Sequence, residues 1–185
     1  MRQILWVLML VMMTLALLNI EQYHCCLEEE RTGLLEIKAW INHPDGSSLP
    51  DWVENTDTDC CKWNGVQCDS TTNRVTKLNL FNEREDRRIG DLYLNASLFL
   101  PFKELKSLGL GSSGLVGCSE NQGFEVLASE LKKLEKLDLS GNTFNDSILS
   151  SLQGLSSLKI LNLRSTKLTT ISTGKVVNHT SNGIL

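Results

Sequence analysis

Six cysteines, at positions 25, 26, 60, 61, 68 and 118, carry the most chemistry available to this 185-residue chain. Thiols can close disulfides, hold a metal or act as nucleophiles. Metal binding fits poorly, because the group Cys60, Cys61 and Cys68 contains no C-x-x-C pair and has no nearby histidine. A bridge between the adjacent Cys60 and Cys61 would be strained, so these two reach in opposite directions. Catalysis fits no better. The three histidines are His24, His43 and His179, and neither G-x-S-x-G nor H-E-x-x-H occurs. Gly109-Leu-Gly111-Ser-Ser-Gly114 matches the dinucleotide fingerprint by letter, but that fingerprint needs a βαβ unit. Here Leu105, Leu108, Leu110 and Leu115 set a different register through it. The expectation is no enzyme, no metal and no cofactor.

The compartment decides how the cysteines are read. Arg2 precedes Ile4 to Leu18, fifteen residues with one polar side chain, Thr14. A basic start and a short apolar run predict a secretory signal peptide over residues 1–24, with cleavage between Asn19 and Cys25. The run is too short for a full membrane span, and no later apolar stretch offers one. A secreted chain places its cysteines in an oxidising environment, where disulfides form. The formal charge of −4 excludes a nucleic-acid binder that works by charge, and 41 % apolar content excludes a disordered chain.

Glu28, Glu29 and Glu30 suit a helix N-terminus, and Leu34, Ile37 and Ile41 recur at helical spacing. His43-Pro44-Asp45-Gly46 predicts the helix end. Asp51-Trp52 and Asp59-Cys60-Cys61-Lys62-Trp63-Asn64-Gly65-Val66-Gln67-Cys68 follow. Together with Cys26-Leu-Glu-Glu-Glu-Arg31 and Leu34-Leu35-Glu36-Ile37-Lys38, these strings resemble the N-terminal cap of plant extracellular leucine-rich-repeat proteins. That group includes receptor-like kinases, receptor-like proteins and polygalacturonase-inhibiting proteins. The resemblance implies a cap over residues 25–73 with Cys26–Cys60 and Cys61–Cys68 bridges, a pairing that the sequence alone leaves open.

Behind the cap, four segments follow L-x-x-L-x-L-x-x-N-x-L. Leu134, Leu137, Leu139, Asn142 and Phe144 match it best. Leu158, Leu161, Leu163 and Leu168 carry Thr166 at the Asn position, and Leu105, Leu108, Leu110 and Leu115 carry Ser113 there. Val75, Leu78 and Leu80 open a degenerate first copy, and successive copies are 30, 29 and 24 residues apart. These periods predict about four leucine-rich repeats over residues 74–185. The fold class is an α/β repeat: a right-handed parallel β coil with short strands on the concave face, capped by a disulfide-bonded helical module.

In each L-x-L the leucines point inward and the flanking residues outward. The outward set is Lys77, Asn79 and Phe81; Ser107, Gly109 and Gly111; Lys136, Asp138 and Ser140; and Ile160, Asn162 and Arg164. Its mix of charge, amide, hydroxyl and aromatic groups suits a protein or peptide ligand. Asn95, Asn145 and Asn178 head N-x-S/T sequons that a secreted chain could carry as glycosylation sites. Cys118 reads as a buried free thiol, with Cys25 its alternative partner.

The resemblance implies an extracellular ligand-recognition module of a plant cell-surface receptor-like protein in defence or developmental signalling. A co-receptor kinase is a further implied partner. The alternative is a free secreted binding protein, such as a polygalacturonase inhibitor or a decoy. Either route leads to the secretory pathway and the apoplast or cell surface. After Leu168 the chain is polar and shows neither a cysteine-containing C-terminal cap nor a kinase signature, so it reads as a truncated product or short isoform.

Overall fold

The computed structural model describes residue 6 and residues 26–55, 58–84, 90–120, 123–146 and 148–166. Apart from residue 6, the expected signal segment lies outside the described residues, as do Cys25, Leu168 and Asn178.

Helix α1 (Glu28–Asn42) buries Leu34, Ile37 and Ile41 on one face, with Glu30 and Arg31 on the same side. It stops at His43, whose backbone is extended (ψ 133°). The cause is Pro44, whose ring disfavours helical backbone in the residue before it. A single 3-10 turn at Cys60–Lys62 then leads into β1 (Val66–Cys68). The structure joins Cys26 to Cys60 and Cys61 to Cys68. Trp52 and Trp63 stack with ring centroids 5.7 Å apart, and the Arg31 guanidinium lies 4.9 Å over the Trp63 ring. Arg31 also donates to the carbonyls of Val53 (2.8 Å), Thr58 (2.7 Å) and Asn55, which satisfies a buried cation with backbone acceptors.

The repeats each contribute one short strand to a sheet: β2 (Val75–Asn79), β4 (Ser107–Gly109), β6 (Lys136–Asp138) and β7 (Ile160–Asn162). The order is β1-β2-β4-β6-β7, with β1 antiparallel to β2 and every later pair parallel. Parallel neighbours need a long crossover, which the 24–30-residue repeat supplies. Leu78, Leu108, Leu137 and Leu161 align in register. The first three are at most 1 % exposed, whereas Leu161, on the last described strand, is 40 % exposed.

A second, two-stranded parallel sheet pairs β3 (Leu92–Leu94) with β5 (Leu115–Cys118). Helices α2 (Phe124–Glu130) and α3 (Ile148–Leu152) pack against each other and bury Phe124, Leu127, Ile148 and Leu152. One continuous apolar cluster runs from Cys26 to Leu155, so cap and repeats share a core. Gly33 of α1 meets Pro101 and Phe102 so closely that a Cβ there would lie 3.1 Å from the proline ring.

Polar side chains fasten the turns after the strands. Asn142 is 1 % exposed and bonds two successive turns. Its Oδ1 accepts from the amides of Ser113 (3.1 Å) and Leu115 (3.0 Å), and its Nδ2 donates to the carbonyls of Leu110 (2.8 Å) and Leu139 (2.9 Å). At the equivalent position Ser113 has only a hydroxyl, which donates to Leu80 O (3.0 Å). Thr166 reaches its own turn at Leu163 O (2.6 Å).

Candidate functional site

The strand register sorts the outward residues into rows. Lys77, Ser107, Lys136 and Ile160 are direct neighbours across four strands. Asn79, Gly109, Asp138 and Asn162 form the next row. Beyond the strand ends, the amides of Asn82, Ser112 and Gly141 bond to the carbonyls of Gly111, Ser140 and Arg164, which carries the same alignment on to Phe81, Gly111, Ser140 and Arg164. Twelve positions spread over 88 residues of sequence thus lie side by side on one face.

Their surroundings differ. Lys77, Asn79, Phe81, Lys136, Ile160 and Arg164 are exposed, while Ser107, Gly109, Asp138, Ser140 and Asn162 are half-buried. Gly111 was expected to face outward, but it is buried. The Phe81 ring lies across it, and a Cβ at 111 would sit 2.7 Å from Phe81 Cδ2. The middle row is partly occupied with its own backbone. Asn79 Oδ1 accepts from the Phe81 amide (3.4 Å), Asp138 Oδ1 from the Ser140 amide (2.9 Å), and Asn162 Oδ1 from the Arg164 amide (3.2 Å). The Ser140 hydroxyl adds a further bond to Asp138 Oδ1 at 2.6 Å. These side chains shape the turn as well as the surface, a role suggested by an Asn or Asp recurring at the centre of three of the four L-x-L units.

Ion pairs stitch the repeats beside this face. Lys103 pairs with Glu130 (2.8 Å), Lys133 with Glu104 (2.6 Å) and Lys159 with Glu135 (2.9 Å). A hydrogen bond from its lysine holds each of these carboxyls below the usual carboxylate range. Lys77 and Lys136 make no ion pair among the described residues.

The remaining chemically notable groups do not assemble a reactive centre among the described residues. Ligand atoms of Asp59, Cys60 and Cys61 lie within 4.8 Å of one another, but both sulfurs are in disulfides and offer no thiolate to a metal. The Gly109–Gly114 run ends β4 and leads into strand β5, so no helix N-terminus follows it to hold a phosphate. Cys118 is half-buried and free, and burial, with Glu125 nearby, pushes its thiol up to about 11. It therefore stays protonated and is a poor nucleophile at neutral pH. Asn95 is half-buried and caps a 3-10 turn at Ala96–Phe99 through its Oδ1 (3.1 Å to the Ser97 amide), whereas Asn145 is exposed. The second sheet, with exposed Tyr93, has no counterpart in the sequence reading, although the spacing of Leu92 and Leu94 carried a period-two signal for it.

Residues 27–69 match the leucine rich repeat N-terminal domain. The chain is 41 % identical over 145 residues to Receptor-like protein 9a of Arabidopsis thaliana, covering 78 % of this chain and 15 % of that relative. It is 43 % identical over 143 residues to Cuscuta receptor 1 of Solanum lycopersicum, covering 75 % of this chain and 12 % of that one. The chain thus spans less than one-sixth of the length of these curated relatives. Its structure resembles the BIR2 ectodomain from Arabidopsis thaliana with a TM-score of 0.55 at 25 % identity, covering 78 % of this chain and 70 % of that one. No helix among the described residues is long and apolar enough to cross a membrane.

Proposed function

We propose that this chain carries the N-terminal cap and first repeats of a plant leucine-rich-repeat receptor-like protein and is an extracellular recognition module whose concave strand face binds a protein or peptide ligand. The supporting observation is the register itself. The inward leucines form the core, and the residues between them gather into one face of four strands. The relatives bear the names Receptor-like protein 9a and Cuscuta receptor 1, and the setting this reading assigns to the chain is the secretory pathway and the cell surface. A co-receptor kinase is the second partner in this reading. The sequons at Asn95, Asn145 and Asn178 are its candidate glycan sites.

The test uses the secreted full chain as bait for peptides and proteins of plant extracellular wash fluid. Three forms are compared: unchanged, Phe81→Ala/Arg164→Ala on the concave face, and Tyr93→Ala on the second sheet. Species bound by the unchanged chain should be lost with the concave pair and kept with Tyr93→Ala. Binding that survives the concave pair and fails with Tyr93→Ala overturns the proposal.

A further inference from the structure

The charge on the concave face is opposite in sign to that of the chain. The whole chain carries −4. Among the outward concave positions, Lys77, Lys136 and Arg164 stand against a single carboxylate, Asp138. That carboxylate already holds the Ser140 amide and hydroxyl through Oδ1. Lys103, Lys133 and Lys159 beside the face pair with glutamates across the repeats, whereas Lys77 and Lys136 make no ion pair among the described residues. They flank Ser107 in one row. With strands about 4.8 Å apart, their Cα atoms are about 10 Å apart, a gap that one anionic group can bridge between two lysine side chains. The short, half-buried Ser107 does not block it.

Phe81 supplies a second anchor on the same strand line as Lys77. It is 50 % exposed and lies over bare Gly111, with no side chain between it and Ser140. An exposed aromatic held against the backbone offers large contact area with little entropy left to lose. It lies four positions after Lys77, about 13 Å along an extended chain.

We infer that this face selects an extended acidic peptide. An anionic side chain sits over Ser107 between Lys77 and Lys136, and an aromatic or aliphatic side chain four residues away rests on Phe81. In an extended ligand, residues four apart point to the same side, so both anchors are reached together. The inference rests on the concave face being the recognition surface and names the ligand class it takes.

A displayed library of random nine-residue peptides, selected against the secreted full chain, tests it. Enriched peptides should carry Asp or Glu with an aromatic or aliphatic residue four positions away. Affinity of a selected peptide should fall about tenfold with Lys77→Gln/Lys136→Gln and should weaken as salt is raised. Both lysines are exposed, and an unchanged thermal midpoint verifies the fold. Enrichment without acidic bias, or acidic peptides held equally by the double variant, overturns the inference. If such neutral binding is still lost with Phe81→Ala, concave recognition stands and only the acidic preference falls. Enrichment insensitive to every concave substitution, or no enrichment at all, counts against both.

Discussion

Glu30 in the cap helix accepts a hydrogen bond from Arg74 Nε, 44 residues away at the entrance to the first repeat strand, at 2.9 Å. Its second oxygen accepts from the Val75 amide at 3.2 Å. The carboxylate is fully buried, and it ties the cap to the coil where strand pairing begins. Arg74→Ala removes the bonded cation and leaves that carboxylate under-satisfied, so unfolding free energy should fall by about 2 kcal/mol. Urea denaturation at neutral pH measures this.

The same contact sets a pH dependence. Burial pushes the Glu30 carboxyl above its ordinary value of 4.5, outweighing the bonds from Arg74 and Val75 that act the other way. The folded chain therefore holds this proton more tightly than the unfolded chain. Its contribution to stability is fully present below about pH 4.5 and is lost as pH rises through the raised value. Glu30→Gln removes the titration, so its stability relative to the unchanged chain should improve between pH 4 and pH 7. Urea midpoints of both forms across that range give the sign, and a relative loss with rising pH contradicts it.

The two bridges close loops of different length, with sequence separations of 34 and 7. In the chain-entropy model, Cys26→Ser/Cys60→Ser costs about 3–4 kcal/mol and Cys61→Ser/Cys68→Ser about 2 kcal/mol. Denaturation of the two variants should show that order, and the reverse would mean that local packing dominates.

Asn142→Ala strips bonds from two amides and two carbonyls in buried turns. The expected loss is about 3 kcal/mol, whereas Ser113→Ala should lose about 1 kcal/mol. Asn142→Ser should fall between, because one hydroxyl cannot reach all four partners.

The coil is not equally packed along its length. Leu137 is 1 % exposed and Leu161 is 40 % exposed, although they are register partners. Leu137→Ala should therefore cost about 3 kcal/mol and Leu161→Ala less than about 1 kcal/mol. Thermal unfolding of the full chain separates them.

Much of this architecture is legible in the sequence because its signals are local and repeated. Leu105, Leu108 and Leu110 recur as Leu134, Leu137 and Leu139, and inward leucines two apart force short strands into one register. The helix end is legible because Pro44 acts on its immediate neighbour. The second sheet is not, since Leu92–Leu94 and Leu115–Cys118 sit at unequal places in long repeats and pair across a long stretch of sequence. Gly111 is misplaced by pattern alone, because what covers it is a ring from the preceding repeat, 30 positions upstream. Asn79, Asp138 and Asn162 are legible as surface residues but not as turn anchors, because that role depends on the bend two residues later.

The most direct test of the central claim, that the concave face is where this chain meets its ligand, is a lysine footprint. The secreted full chain is acetylated with and without an enriched acidic peptide, and each lysine is quantified by mass spectrometry. Lys77 and Lys136 should be protected by the peptide, while Lys62, with an 82 % exposed side chain in the cap, and Lys132, beyond the second helix, should react unchanged. Protection of Lys62 or Lys132, with Lys77 and Lys136 fully reactive, would contradict it.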